Sequence, residues 1–372
     1  MNVALVISSL SSGGAERVMS ELANCWAARG DIVTLVTIDG WQSDSYALHP
    51  RVRRVALGLM GESGGTVAAL VSNCRRMGAL RLALLAAGAP AVLSFEGRTS
   101  ALVLLATSWM RLRRIVSERI NPGEHSIGTL WSILRRLAYP LADVLVVQTK
   151  VAVPWAQAIM LGNRRVRVIS NPVRDMREFT GNGERLRPHT IIAIGRLAHQ
   201  KGFDLLLRAF ACIAEAAPSW KLVILGEGEE RAALDKLARS LGIADRVELP
   251  GWHREPGEVL KTAGLFVMSS RYEGFPNALV EAMACGTPVI STMWAGAKEI
   301  ITDGIDGLLA PNDCEHLAAT MRRAIDDVDL RNRLGRNARA VTERYRLSSV
   351  IKQWDTVLAP PCERLANLKS CS

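Results

Sequence analysis

Three short segments in the second half of the chain combine cations, carboxylates and glycines in a pattern suited to an anionic ligand. Residues 195–202 (GRLAHQKG) place Arg196 and Lys201 in one loop. Two such cations match the two negative charges of a diphosphate, although a solvated surface loop would use the same residues. Residues 226–230 (GEGEE) offer Gly226 and Gly228, which let a backbone approach a ligand closely; a plain strand-to-helix turn accounts for them equally. Residues 269–290 (SSRYEGFPNALVEAMACGTPVI) carry Glu273 and, eight positions on, Glu281. Asn277 has the side chain of an N-cap for a helix over 278–285, and the first amides of that helix, at Ala278 and Leu279, would favour a phosphate. Glu281 is the one charge in ALVEAMAC. Buried, it needs partners such as the hydroxyls of a ribose; turned outward, it needs none.

The elements that must position these residues follow one pattern, met twice: short apolar run, glycine turn, amphipathic helix. In the first half, 2–8 reads as a buried strand, 8–17 (SSLSSGGAER) as its turn, 18–29 as a helix and 31–38 as the next strand. Further strands are expected at 91–95, 114–117, 144–148 and 167–169, with helices at 66–87 and 126–137. A second cycle opens at 190–194 and continues with strands at 221–225, 246–249, 265–268 and 288–291. Strands alternating with helices imply parallel sheets covered on both faces. Two such units imply a ligand cleft at the strand carboxyl ends. The polar stretch 180–189 (TGNGERLRPH) reads as the interdomain linker.

Composition narrows the class. A chain of 372 residues suits two domains. Its seven cysteines are scattered and form no CxxC pair, which argues against a zinc site or a disulfide framework and for a reducing compartment. No apolar run reaches the roughly 18–20 residues needed to span a bilayer, and the start lacks the basic region of a signal peptide.

The net charge of +10 is uneven: residues 1–180 hold 21 Lys/Arg against 12 Asp/Glu, and 181–372 hold 25 against 24. The basic excess of the first half points to an anionic partner. Residues 66–87 are apolar with Arg75, Arg76 and Arg81, residues 109–114 add Trp109 and three arginines, and the helix at 126–137 adds Trp131, Arg135 and Arg136. Arginine beside Trp and Leu suits an interfacial surface on an anionic membrane; the same residues suit helices that bury their apolar faces and solvate their arginines. Arg75, Arg76 or Arg81 could alternatively meet the diphosphate of a lipid-linked acceptor. No groove-binding motif or aromatic–basic platform supports a nucleic-acid partner.

Glu273 and Glu281, with their filling EGFPNALVEAMACGTPVI, resemble the E-x7-E signature of GT4-type retaining glycosyltransferases. The resemblance runs through SSLSSGGAERVMSELA (8–23), SERINP (117–122), LRRLAYPLADVLVVQT (134–149), SNPV (170–173), GRLAHQKGFDLLLRAF, GEG, AGAKEII (295–301) and DGIDGLL (303–309). It is strongest to the subgroup that extends lipid-linked oligosaccharides, such as N-acetylgalactosaminyltransferases acting on undecaprenyl-diphosphate carriers. The resemblance implies a GT-B fold, two Rossmann-like parallel-sheet domains facing a central cleft. Residues 1–180 would bind acceptor and membrane, 181–346 the nucleotide sugar, and 347–372 would form a C-terminal helix and tail able to cross back to the first domain. By the same resemblance Arg196 and Lys201 bind the donor diphosphate, Glu281 the ribose, Glu273 the donor sugar or its phosphate, and the loop of Gly13 and Gly14 lies near the diphosphate.

No metal or other cofactor is implied. The expected reaction is retaining transfer from a nucleotide-diphosphate sugar, by analogy a UDP-sugar, to a polyprenyl-diphosphate-linked saccharide. The expected place is the cytoplasmic face of the membrane, with peripheral attachment. A soluble acceptor, or an inactive saccharide-binding relative, is the alternative. One departure stands out. Many relatives carry His where this chain has Arg119, and a guanidinium that stays charged positions phosphate and does not act as a base. Glu118 is then either a polar contact or the partner of Arg119 in a buried salt bridge.

Overall fold

The computed structural model describes residues 1–359 except 12, 62–63, 121–122, 124–126, 163–164, 174–188 and 254–255. Most of the expected linker therefore lies outside the described residues, as do Cys362 and Cys371 in the tail. The chain divides into two compact units, one made of Met1–Asn171 with the segment from Ser348 onward, the other of Pro172–Leu347.

The first unit holds seven strands: β1 (Asn2–Ile7), β2 (Ile32–Thr37), β3 (Val52–Ala56), β4 (Ala91–Phe95), β5 (Arg113–Ser117), β6 (Val144–Val147) and β7 (Val166–Val168). They pair in the order β3-β2-β1-β4-β5-β6-β7, every neighbour parallel. Near-continuous apolar runs such as NVALVI and VLVV are what strands covered on both faces require. β3 (VRRVA) is not visible from hydrophobic pattern. It is an edge strand, half exposed, and Arg53 and Arg54 interrupt its apolar run.

The helix Leu347–Leu358 belongs, from Ser348, to this first unit. Trp354 is fully buried beside Phe95, ring centroids 6.1 Å apart. Asp355 accepts from Trp26 Nε1 at 2.9 Å and pairs with Arg29 at 2.6 Å, and the carbonyl of Val357 accepts from Arg113 Nε.

The second unit holds β8 (Thr190–Ile194), β9 (Lys221–Leu225), β10 (Val247–Gly251), β11 (Leu265–Met268), β12 (Val289–Thr292) and β13 (Leu308–Ala310), in the order β10-β9-β8-β11-β12-β13 and all parallel. β13 is only three residues long, too short to show a period. Its core gathers Ile191, Leu222, Leu265 and Ile290 under the helices Phe203–Ala214 and Cys314–Asp326.

In both sheets the strand order reverses once, between β1 and β4 and between β8 and β11. In open parallel sheets the crevice at the strand carboxyl ends beside such a reversal is where ligands bind. No helix among the described residues is long and apolar enough to cross a membrane.

Candidate active site

The three motif segments of the second unit all leave the carboxyl edge of its sheet. Gly195 and Arg196 follow β8, Gly226 follows β9, and Ser269 follows β11. Their loops interlock through backbone. Gly195 N donates to the Leu225 carbonyl at 3.0 Å, Leu197 N to the Glu227 carbonyl at 2.9 Å, and Ser269 Oγ to the Lys201 carbonyl at 2.9 Å. Two glycines make the contact possible. Gly202 sits at φ +63°, where a Cβ would fall 2.2 Å from the Ser269 carbonyl oxygen. Gly226 sits at φ +147°, where a Cβ would fall 1.9 Å from the Gly195 carbonyl oxygen. Gly228 caps the same loop, its carbonyl accepting from Arg231 N.

The carboxylate and the cation meet on this scaffold. Lys201 Nζ donates to Glu273 Oε1 at 2.6 Å, and Ser270 Oγ donates to the same oxygen at 2.6 Å. The Lys201 stem lies across Gly195, where any side chain would crowd it. Glu273 is buried and Lys201 part-exposed, so an ammonium faces the edge of the sheet with a buried carboxylate holding it in place. Arg196, five residues before Lys201, is exposed at the same edge. Opposing the charge of Glu273, these two cations can accept a diphosphate.

Glu281 is buried, on the helix Asn277–Ala284 between Val280 and Ala282. The outward-facing reading of this residue is thereby excluded. Asn277 is not the N-cap. The carbonyl of Pro276 accepts from Val280 N at 3.1 Å, so Pro276 caps the helix and Asn277 is its first residue, followed by Ala278 and Leu279.

Sequence reasoning missed the residues that lock these loops together. Arg271 forms a two-pronged pair with Asp204 at 2.9 and 2.8 Å and donates to the His199 carbonyl at 2.6 Å. Gln200 Nε2 donates to the Tyr272 carbonyl at 2.9 Å. The partners lie about 70 positions apart, and no local period links them.

In the first unit, Gly14 opens the helix Gly14–Ala28 after β1, and Gly13 caps it. Arg119, just past β5, is buried. Its guanidinium lies 4.0 Å from the Phe95 ring centre and donates to Ser117 Oγ at 3.3 Å and Asn171 Oδ1 at 2.5 Å. Burial lowers its pKa to about 9, with the carboxylates of Glu96 and Glu16 acting the other way. It therefore stays a cation at neutral pH.

The Glu118–Arg119 salt bridge does not form. Successive residues leaving a strand point to opposite faces, and Glu118 instead accepts from Tyr139 Oη at 2.5 Å and pairs with Arg135 at 3.5 Å.

The basic residues of the first unit separate into two groups. Arg135 is buried under the Trp155 ring and is not a surface residue. Arg76 donates to the carbonyls of Leu59 and Gly61 and to Asn73, and Arg81 to the carbonyl of Ala106, so both serve the chain's own carbonyls. Trp131 is half-buried under Arg98. Arg75 and Arg136 are exposed. Beside Arg136, Leu130, Ile133 and Leu137 of the helix Thr129–Ala138 are 61, 53 and 69 % exposed, a stripe at helical spacing. Val67, Leu70, Val71, Leu82 and Leu85 of the helix Thr66–Ala87 are likewise exposed.

Comparison with known proteins accounts for both units. The model of the glycosyl transferase 4-like domain matches residues 13–172, and that of glycosyl transferases group 1 matches residues 176–341. The chain is 27% identical to an alpha-1,4-N-acetyl-D-galactosaminyltransferase of Campylobacter jejuni over 96% of this chain and 98% of that one; the relative's name specifies a PP-undecaprenol acceptor bearing GalNAc and diNAcBac. Among solved structures, sucrose-phosphate synthase of Thermosynechococcus elongatus superposes with a TM-score of 0.83 at 19% identity over 100% of both chains. HepE of Anabaena, solved in complex with UDP, superposes with a TM-score of 0.77 at 17% identity over 96% of this chain and 99% of that one. With its 4-like and group 1 domains in sequence, each on a parallel sheet of this topology, the chain belongs to the glycosyltransferases of the GT-B fold.

Proposed function

We propose that this enzyme transfers a sugar from a UDP-sugar to a saccharide carried on a polyprenyl diphosphate, with retention of configuration, while attached peripherally to an anionic membrane. The observation that carries the acceptor reading is the likeness to the Campylobacter transferase, which extends over nearly all of both chains. The UDP complex of HepE supports the donor. Each unit then has its own task, the second holding the donor and the first the acceptor and the membrane.

In this reading Arg196 and Lys201 bind the donor diphosphate and stabilise the charge that develops on it as the anomeric carbon–oxygen bond breaks. Glu273 orients Lys201 through the 2.6 Å contact and faces the sugar or its phosphate. Glu281 takes the ribose. The backbone at Gly14, Gly226, Gly228, Asn277, Ala278 and Leu279 approaches the phosphates. Arg119 positions phosphate, since it holds its proton at neutral pH. Attack from the leaving-group face gives retention. The stripe of Leu130, Ile133 and Leu137, with Arg136 beside it and Arg75 on the neighbouring exposed helix, enters the headgroup layer, where apolar side chains bury and cations meet anionic lipid.

A panel of UDP-, GDP- and ADP-sugars, with and without anionic liposomes carrying a polyprenyl-diphosphate saccharide, tests this reading by mass spectrometry of the lipid. The expected result is a gain of one sugar or more on the lipid with a UDP-sugar alone. Nucleotide release without a lipid product would move the acceptor to a soluble saccharide. Donor binding with no turnover on any acceptor would make the chain an inactive relative.

A further inference from the structure

The reversal point of the first sheet holds two carboxylates that the reading above does not use. Glu96 follows β4 directly, with its backbone at φ 71°, a conformation that residues other than glycine seldom adopt. Its Oε2 accepts from Ser8 N at 3.3 Å, just beyond β1, and from Thr99 Oγ1 at 3.5 Å. Glu16, on the first helix, folds back over the glycine loop: a Cβ on Gly13 would fall 2.1 Å from its Oε2, and Ser11 Oγ donates to its Oε1 at 3.4 Å.

Arg119 interacts electrostatically with both carboxylates, and it supplies a second, separate observation. Its two terminal nitrogens are occupied by Ser117 and Asn171, but Nε is buried with no partner. A buried donor left unmet is costly, and it sits beside the crevice where a parallel sheet of this order takes its ligand. Arg17, which pairs with Glu21, is a further charge near Arg119.

We propose that Glu96 is the group that receives the proton of the acceptor hydroxyl during sugar transfer, with Glu16 beside it as a positioning residue and Arg119 Nε donating to an acceptor oxygen. The inference rests on the glycosyl-transfer reading and deepens it. In the step, the acceptor oxygen bonds to the anomeric carbon, and the bond from that carbon to the diphosphate oxygen breaks. The electron pair of that bond leaves with the nucleotide diphosphate, and the hydroxyl proton passes to the Glu96 carboxylate.

The protonation states fit. Burial raises Glu96, and burial with repulsion from Glu96 raises Glu16 to about 7. Ser8 and Thr99 at Glu96, Ser11 at Glu16, and Arg119 at both act to lower them. Burial thus makes both carboxylates stronger proton acceptors than an exposed glutamate.

The test uses the full chain with Glu96→Gln and Glu16→Gln. Transfer and donor hydrolysis by water are followed with a UDP-sugar between about pH 5.5 and 9. For Glu96→Gln, kcat should fall about 100-fold or more while UDP affinity stays within about threefold. For Glu16→Gln, kcat should fall less than for Glu96→Gln, and in Glu96→Gln the carbon-13 titration of Glu16 should move to lower pH, because the like charge that raises it is gone. A Glu96→Gln enzyme that keeps kcat within about threefold, or a Glu16 carboxyl whose titration stays in place in that variant, overturns the assignment.

Carbon-13 titration of the glutamate carboxyls in unmodified protein needs no variant to fold and no acceptor. One carboxyl titrating near 7 supports the raised Glu16 beside the charge of Glu96; all titrating in the ordinary carboxylate range overturns it. A wild-type enzyme that hydrolyses donor but leaves lipid-linked saccharide unchanged would overturn the acceptor reading alone, since hydrolysis and titration still report on Glu96.

Discussion

Gly202 offers a direct test of how the proposed donor site is built. Replacing it with alanine imposes two separable costs. One is the left-handed backbone: at φ +63° an alanine is disfavoured by about 1–2 kcal/mol. The other is steric, since the new methyl would lie 2.2 Å from the Ser269 carbonyl oxygen, well inside the 3.0 Å that real Cβ contacts respect. Relieving it requires the lysine loop and the Ser269 loop to part by about 1 Å, a form of overpacking that costs about 1–3 kcal/mol. The total loss is about 2–5 kcal/mol.

Gly242 supplies the control. It lies in the same unit at φ +69° with nothing within 4 Å of its would-be Cβ, so Gly242→Ala carries the backbone term alone. Urea unfolding of the two variants should therefore differ by the steric term, about 1–3 kcal/mol. Because parting the loops moves Lys201 away from Glu273, isothermal titration with UDP should show weaker binding in Gly202→Ala and unchanged binding in Gly242→Ala. Equal stability and equal UDP affinity in the two variants would refute the idea that backbone contact between these loops sets the position of Lys201.

Lys201→Ala should weaken nucleotide-diphosphate affinity by about tenfold or more, since it removes one of two cations and leaves Glu273 with Ser270 alone. Glu281→Ala should abolish most transfer while the melting transition persists; unchanged transfer in both variants would sink the donor-site assignment. Trp354→Ala should destabilise the first unit by about 3–5 kcal/mol, the cost of emptying a fully buried indole site, and a loss under about 1 kcal/mol would show that the C-terminal helix is not integral to it. Ile133→Asp with Leu137→Asp, both at exposed positions, should lower sedimentation with anionic liposomes about tenfold or more while leaving the melting temperature in place. Equal sedimentation would remove this stripe from the membrane surface.

What local chemistry can encode was legible in the residues alone. Apolar runs between glycine turns marked most strands, because a strand buried on both faces has no polar alternative. The helix Thr66–Ala87 and the final helix Leu347–Leu358 were legible from their composition and period. Arg196, Lys201, Glu273 and Glu281 were legible as candidates for a diphosphate site, because a diphosphate needs cations close to glycine turns, and their order along the chain resembles a known family. The edge strand Val52–Ala56 and the three-residue strand Leu308–Ala310 were not, since one is interrupted by arginines and the other is too short to carry a pattern.

Which charges face solvent and which face each other followed from packing across the fold. Arg135 and Arg136 are neighbours in sequence, yet one is buried against Glu118 and the other is exposed, because successive positions on a helix diverge by about 100°. Arg271 finds Asp204, and Glu96 comes to rest beside Ser8 and Arg119, across separations of 67, 88 and 23 residues. A carboxylate at the end of a strand was readable as a residue. That it would stand at the reversal of strand order, opposite a buried arginine, depended on which strands pair, and strand pairing is set by the packing of the whole sheet.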